Sequence, residues 1–418
     1  MKLAGLLSVF YGYFPRMRTE YKLLSGFTLL LSICLFAVYG YGQQIAHGDF
    51  FVFYTSGINF SDGLSLYKNK ASGLTFMYPP FAASFHQVFS VFDLKSAAAV
   101  FYGLNLLTLY LLLAFTFYWF QFRWGLSVRV WFFTCVITAY YFYLNLLLGQ
   151  NNIFLFLLTI CALELWLRDK WMSAGLVLSM VIFFKLTALF IAAWMIIRGK
   201  PKFILGLSLG FVFCLLFPVV FRGWEQSIRD WQEFYKYFFR FMLQGHVYTD
   251  YRNQNLAATL LRLFTLPETS HAPVNIFSRA DASLKYVFKW LLPAIALLPL
   301  VLVAYRRFQK APLILAEPAL VLIASHLCSG LTWNQHLISL MLFTPILLHN
   351  LNQSRYANIF MILLLCLAPL SASLFIGNPL QYFTYSLGLF TWILLGSYLY
   401  LMIYLISMKG DNPGIPGR

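Results

Sequence analysis

The chain has 418 residues, of which 61% are hydrophobic and only 11% charged, with a mean hydropathy of +0.72. So many long apolar runs with so few charges exclude intrinsic disorder, coiled coil and secreted disulfide scaffolds, and predict an all-α, polytopic membrane helical bundle. The excess of 30 Lys and Arg over 14 Asp and Glu, a formal charge of +16, would point a soluble domain to nucleic acid; in a membrane protein its placement matters more, and no nucleic-acid partner is expected.

In chain order, the N-terminal stretch ahead of Pro15, Arg16 and Arg18 lacks a small-residue cleavage site and reads as a cytoplasmic interfacial segment. Apolar windows of about twenty residues then predict spans near Lys22 to Gly42, Ala97 to Phe120, Val128 to Leu147 and Asn151 to Leu167. Further spans are expected near Phe203 to Phe221, Tyr286 to Ala304, Leu313 to Leu331, His336 to Asn350, Ala357 to Ile376 and Tyr382 to Ser407. The polar tail Gly410 to Arg418 reads as a frayed terminus. Cys34, Cys135, Cys161, Cys214, Cys328 and Cys366 all fall inside apolar runs, so neither disulfides nor a Cys-ligated metal is expected.

The stretch from Trp171 to Ile197 carries Lys185 in its middle, and charge decides how to read it. A single span would separate Arg168 and Lys170 from Arg198, Lys200 and Lys202 and would invert every later loop. A re-entrant pair keeps both clusters cytoplasmic, together with Arg16/Arg18/Lys22, Arg123/Arg129, Arg306/Arg307/Lys310, Arg355 and Lys409. The expectation is one integral membrane domain over 1–418, with about ten full spans, a re-entrant pair at 171–197 and both termini cytoplasmic. Two long extracytoplasmic loops at 43–96 and 222–285 follow. Each half of the pair would reach about two thirds of the way through the hydrocarbon at about 1.5 Å per residue, leaving Lys185 at a buried tip. An ammonium at that depth lines a polar cavity and meets an anion.

The first outer loop carries Asp49 among aromatics at helical spacing, from Phe50 to Tyr54. A carboxylate desolvated in this way can act as a base, and a solvated or helix-capping Asp is the plainer alternative. Asp62-Gly63 reads as a turn and Tyr78-Pro79-Pro80 as the rigid start of an interfacial helix. His86 and Asp93 read as interfacial polar groups. Asn145 and Gly149-Gln150-Asn151-Asn152 either line a cavity with amides or form a tight turn. In the second loop Asn255 is expected to cap a helix whose later turns carry Arg262. Thr332-Trp333-Asn334-Gln335-His336 opens a later span with an indole, two amides and an imidazole. Singly these signals are weak, but a carboxylate, a buried Lys, Arg residues, a His and amides converge on one compartment. The sequence has no HExxH, no His pair at ligand spacing, no P-loop and no dinucleotide fingerprint, so no metal or other cofactor is expected.

The ordered set D-F-F-V-F-Y from Asp49, L-Y at Leu66, Y-P-P at Tyr78, G-Q-N-N at Gly149, K-L-T at Lys185, N-Q-N-L…R from Asn253 and W-N-Q-H at Trp333 resembles glycosyltransferase family 87. The resemblance runs from about Asp49 to His336 and rests on order and spacing. It implies a GT-C fold, a catalytic Asp opening the first extracytoplasmic loop, matched by Asp49, and a polyprenyl-phosphate sugar donor, most simply mannose. Where the family commonly shows Lys-Pro and Trp-Asp-His-His, this chain has Lys185-Leu186 and Trp333-Asn334-Gln335-His336.

On that resemblance the expected reaction is an inverting transfer to a lipid-linked or cell-envelope glycan acceptor at the extracytoplasmic face of the plasma membrane. Asp49 is the expected base, and Lys185, Arg262, Arg252 and His336 the expected contacts of the donor phosphate. Tyr54, Tyr78, Gln150, Asn151, Asn253, Gln254, Trp333 and Asn334 are the expected sugar or acceptor contacts. The competing classes are a transporter or flippase with a midplane anion site, which would account for Lys185 but not for Asp49, and a lipid-linked glycan ligase or polymerase. Labelled donor separates enzyme from transporter, since the enzyme consumes it.

Overall fold

The structure, a computed structural model, describes residues 48–68, 76–240, 248–264, 282–350 and 355–408. The expected span at Lys22 to Gly42, the N-terminal interfacial segment and the polar tail lie outside the described residues, as do parts of both long loops. Among the described residues every regular element is helical.

Local chemistry places the first helices. Helix α1 (Asp49–Ser61) has Asp49 in its first turn, where a carboxylate complements the unpaired N–H groups. It stops at the expected Asp62-Gly63 turn, with Gly63 at φ +72°. Helix α2 (Pro80–His86) starts with Pro80, whose missing N–H costs nothing there. Asp93 accepts from the amides of Lys95 (2.9 Å) and Ser96 (3.1 Å) and so caps the long helix α3 (Leu94–Tyr118). Helix α4 (Val128–Leu148) returns and closes on Gly149 in the left-handed region, three residues before α5 (Asn152–Leu167) begins. Nearly every residue of α5 is buried, which puts it at the centre of the bundle.

The segment from Trp171 folds as α6 (Trp171–Phe184), a break at Lys185, a short 3₁₀ turn and α7 (Leu189–Ile197). Lys200, just past α7, sits 4.3 Å from the ring centre of Trp171 at the start of α6, so the pair leaves and returns on one face. The backbone thus turns back at Lys185, and the two ends of the helix pair lie together. Helix α8 (Pro201–Phe234) then runs parallel to α6 in very close contact. A Cβ on Gly206 would meet the Met172 carbonyl and one on Gly175 the Phe203 carbonyl, both inside van der Waals distance, while Gly210 lies against Ser179. Small residues at this spacing let helix backbones touch in an apolar medium. Gly223, at φ +71°, kinks α8 after its apolar part.

Beyond it come α9 (Leu256–Phe264), α10 (Ala282–Phe308), α11 (Ala316–Cys328), a 3₁₀ segment at Asn334–Ser339, α12 (Leu340–His349), α13 (Arg355–Leu370), α14 (Ser373–Ser386) and α15 (Leu389–Ser407). Asn255 accepts from the Ala258 amide (2.6 Å), the expected cap of the helix that bears Arg262.

Five helical stretches among the described residues are long and apolar enough to cross a bilayer: Leu94–Arg123, Val128–Leu148, Pro201–Phe239, Leu291–Phe308 and Leu389–Ser407. A sixth is possible if α13 and α14, bent by 117°, count as one broken span. The expected ten are not reached by this measure because several apolar windows hold shorter helices, such as α5 with 16 residues and α11 with 13. A 16-residue helix is about 24 Å long, less than the hydrocarbon thickness.

Helix ends sort onto two faces. On one, Glu164 of α5 accepts from the Trp119 indole (2.9 Å) and pairs with Arg168 and Arg123. Glu317 of α11 accepts from the Trp194 indole (3.1 Å), from Arg198 Nε (3.0 Å) and from Arg306 Nε (3.1 Å). The rings of Trp166 and Trp194, 5.5 Å apart, join the two clusters. Basic residues far apart in sequence thus share an arginine face. Glu317→Ala would leave Arg198 and Arg306 buried without their counter-charge and is expected to cost about 3–5 kcal/mol, read as a lower melting temperature of the purified protein in detergent. An unchanged melt would show that these pairs are incidental.

Candidate active site

On the face opposite the arginines, the N-terminus of α1, the tight turn between α4 and α5, and the break between α6 and α7 meet. Asp49 is half-buried at the head of α1, and Gln150 Nε2 donates to its Oδ2. Burial pushes the Asp49 carboxyl up to about 6, against the opposing effects of the Gln150 bond and the charges of Arg252 and Lys185. Lys185 has extended backbone at φ −148°, which interrupts the helix and turns its side chain to α5, where Nζ donates to Asn152 Oδ1 (2.8 Å). Asn152 in turn donates to Asn145 Oδ1 (2.8 Å) and reaches Gln150 Oε1 at 3.5 Å. A carboxylate and an ammonium are therefore tied into one amide network, with no direct ion pair between them among the described residues. The amides of the turn both shape it and line the site.

The second loop contributes the opposite wall. Arg252 is 53% exposed and is gripped on one edge by Asp250, through Nε (2.8 Å) and Nη2 (2.9 Å), which leaves the rest of its fork for a ligand. Its guanidinium carbon lies 6.0 Å from the Trp333 ring centre. His336 Nδ1 accepts from the Trp333 amide (3.2 Å), and the two rings lie nearly parallel, 6.4 Å apart. The Trp333 indole N–H, Asn334 Oδ1 and Gln335 Nε2 are shielded from solvent without a protein partner. Buried donors and acceptors left open in this way are suited to hydroxyl groups. Tyr78 packs on Phe53 (5.2 Å between ring centres), and burial, with Asp49's charge adding to it, raises its phenol well above the usual range.

Other expected site residues hold the walls. Arg262 is 1% exposed, and its guanidinium donates to the carbonyls of Asp250 (2.9 Å), Asn253 (2.7 Å) and Ser386 (3.3 Å) and to Thr259 Oγ1 (2.9 Å). Those bonds fasten the loop that presents Arg252, and a phosphate would have to displace them. Asn253 binds the carbonyls of Tyr248 (2.7 Å) and Gly330 (3.1 Å) and the Thr332 amide (2.9 Å). Gln254 binds the carbonyls of Tyr251 (2.6 Å) and Tyr385 (2.9 Å). Both are fully buried, and these bonds stitch the second loop to the Trp333 segment and to α14. Tyr54 donates to the Phe92 carbonyl (2.9 Å), fixing α1 to the start of α3. Gln150 is engaged by Asp49, and Asn151 by His86.

Two further residues belong to the site: Asp250, which the sequence does not single out, and His86. His86, read as an interfacial polar group, is fully buried, and burial pushes its imidazole down to about 4 despite bonds to Ala82 and Asn151. Its place at the end of an apolar helix, facing aromatics, was a signal, but one shared by many core histidines. Asp250 lies two residues before Arg252, a spacing that pairs the two in a turn. Among the described residues no three His, Cys, Asp or Glu side chains are grouped as metal ligands would be.

The family model for glycosyltransferase family 87 matches residues 76–330, more than half of the chain and most of this site. The chain belongs to glycosyltransferase family 87. No curated protein and no solved structure matches it. A family 87 protein is a membrane glycosyltransferase, so the groups on the Asp49 face belong to an enzyme that moves a sugar from a donor to an acceptor. The transporter reading of Lys185 gives way to this. The match spans Tyr78, Gln150, Lys185, Arg252 and Arg262, while Asp49 and Trp333 lie outside it.

Proposed function

We propose that this family 87 enzyme is an inverting transferase that moves a sugar, most simply mannose, from a polyprenyl-phosphate donor to a lipid-linked or envelope glycan, with Asp49 as the base. The observation that carries the reading is the joining of Asp49, through Gln150 and Asn152, to the Lys185 ammonium across a few side chains. In a single displacement the acceptor hydroxyl oxygen attacks the anomeric carbon while Asp49 takes its proton. The bond from that carbon to the phosphate oxygen breaks, and the prenyl phosphate leaves with the electron pair. Lys185, helped by the free edge of Arg252 and by His336, meets the charge that develops there. Trp333 and Asn334 are the groups best placed for sugar hydroxyls, and Tyr78 for stacking.

We assign the Asp49 face to the extracytoplasmic side of the plasma membrane and the arginine face to the cytoplasm. The clustering of Arg123, Arg168, Arg198 and Arg306 on one face supports this, since short basic loops stay cytoplasmic. Membrane-impermeant labelling of a cysteine placed at Asp62 should succeed from the outside of intact cells.

The defining experiment is transfer of radiolabelled mannose from polyprenyl-phosphate mannose to membrane lipids by the purified protein in EDTA. Because the base must be ionised, kcat/KM should fall tenfold per unit well below about pH 6, the value to which burial pushes Asp49. Release of no sugar would exclude mannose, and other prenyl-phosphate sugars such as arabinose would then be tried; a requirement for added divalent cation would count against the mechanism.

A further inference from the structure

The transfer step described above leaves His86 unused, although its imidazole touches three elements of the site. The ring lies flat on Phe53, 4.6 Å between centres and 5° between planes, and Phe53 is one turn beyond Asp49 on α1. Its Nδ1 is 2.7 Å from the Ala82 carbonyl. A carbonyl only accepts, so Nδ1 carries the proton and Nε2 of the neutral ring is an acceptor. Asn151 Nδ2 faces that lone pair at 3.1 Å, with its own oxygen farther off at 3.4 Å, so the tautomer sets which way the Asn151 amide points. Asn151 adjoins Gln150, whose amide holds the Asp49 carboxylate. The same end of α2 also fixes α1 directly: a Cβ on Gly57 would come within 2.5 Å of the His86 carbonyl oxygen, so the two backbones touch.

From this geometry we infer that His86 is a positioning residue of the transferase, locking α1 to the turn from Gly149 to Asn152 so that Gln150 stays aimed at Asp49. The inference rests on Asp49 being the base. A base misplaced by about 1 Å loses on the order of 10²-fold in rate, and neither α1 nor the turn alone sets their separation. Around His86 stand the rings of Phe53, Phe85, Phe89, Phe101 and Phe184. The charged or titratable groups that act on Asp49 are Lys185, Arg252 and Tyr78. No charge therefore faces the imidazole itself from these contacts, and its effect passes through Asn151 and the packing of α1.

His86→Phe keeps a ring on Phe53 and removes the acceptor for Asn151. In the full-length protein it is expected to lower kcat about 10- to 100-fold with the donor KM nearly unchanged. The acid limb of kcat/KM should move to higher pH by about one unit, because a carboxylate that loses a donor is easier to protonate. His86→Gln, whose amide oxygen can accept from Asn151, should recover part of the rate. Asn151→Ala should reproduce the His86→Phe profile, and the double variant should be no worse than either single one, as expected for residues on one path. A wild-type rate and acid limb in His86→Phe, or effects that multiply in the double variant, would overturn the inference. If His86→Phe does not fold, Asn151→Ala, read by the same pH profile, decides. Asp49→Asn is assayed alongside: transfer by that variant would remove the base reading, whereas its inactivity beside an unaltered His86→Phe would remove only the role of His86.

Discussion

Asp49→Asn protein is expected to bind the polyprenyl-phosphate sugar with nearly wild-type affinity and to transfer it at least 10²-fold, and up to about 10⁴-fold, more slowly. Asn has the shape of Asp but cannot accept a proton at these pH values. The Gln150 side chain can turn its carbonyl to the new amide, so the turn and α1 should stay in place. The loss should therefore fall on kcat and not on KM, which marks a group that acts only in the transition state. Single-turnover transfer from labelled donor, with binding measured separately by displacement of the donor, resolves the two. Equal rates in both proteins would end the case for Asp49 as base and leave it as a first-turn carboxylate that complements the N-terminus of α1.

Lys185→Met is expected to slow transfer by about 10²- to 10³-fold. Met fills much of the same volume without charge, and its thioether cannot donate to Asn152 or to a leaving phosphate. Lys185→Arg should restore part of the rate, since a guanidinium keeps the charge, though on a longer and planar head that cannot copy the ammonium's geometry. Charge at the break between α6 and α7 matters because the leaving group becomes more negative as its bond to sugar breaks, in a site with little water to screen it. The measurement is transfer rate against the leaving-group pKa of synthetic donors. Lys185→Met should be hurt most with the poorest leaving groups, and a uniform loss across the series would mean that Lys185 shapes the cavity without meeting the departing phosphate.

These two residues show how far the primary structure reaches. Asp49 stands out in the sequence as a carboxylate at the edge of an aromatic helix, and Lys185 as a charge in the middle of an apolar run whose flanking charges favour a re-entrant pair. Both signals are violations of local rules, and such violations can be read without a fold. The roles of Gln150, Asn151, Asn253, Gln254 and Arg262 could not be read in that way. An Asn or Gln in a loop offers the same donors and acceptors whether it meets a sugar, a carboxylate or a main-chain carbonyl. Only the approach of Gly330, Thr332 and Tyr385 shows that Asn253 and Gln254 are spent on their own backbone. Arg262 is a similar case, since ten residues separate it from Arg252 in sequence and what decides its use is the cage of carbonyls around it.

What the sequence determined by itself was the solvent and the secondary structure: apolar runs with few charges demand a bilayer, their length of about twenty residues selects helices over barrel strands, and the ordered motifs carry the family 87 resemblance. It also set the start of α2 at Pro80 and the cap of α9 at Asn255, because each depends on residues close in the chain. The tertiary structure alone decided which polar groups face one another. It showed how short α5 and its neighbours are, gathered Arg198 and Arg306 on Glu317, and put His86 behind the Asp49 helix. Hydrophobicity acts through area and ignores direction, so it can be summed along a sequence; hydrogen bonds require a particular partner at a particular angle, and that partner is supplied by a chain segment a hundred residues away.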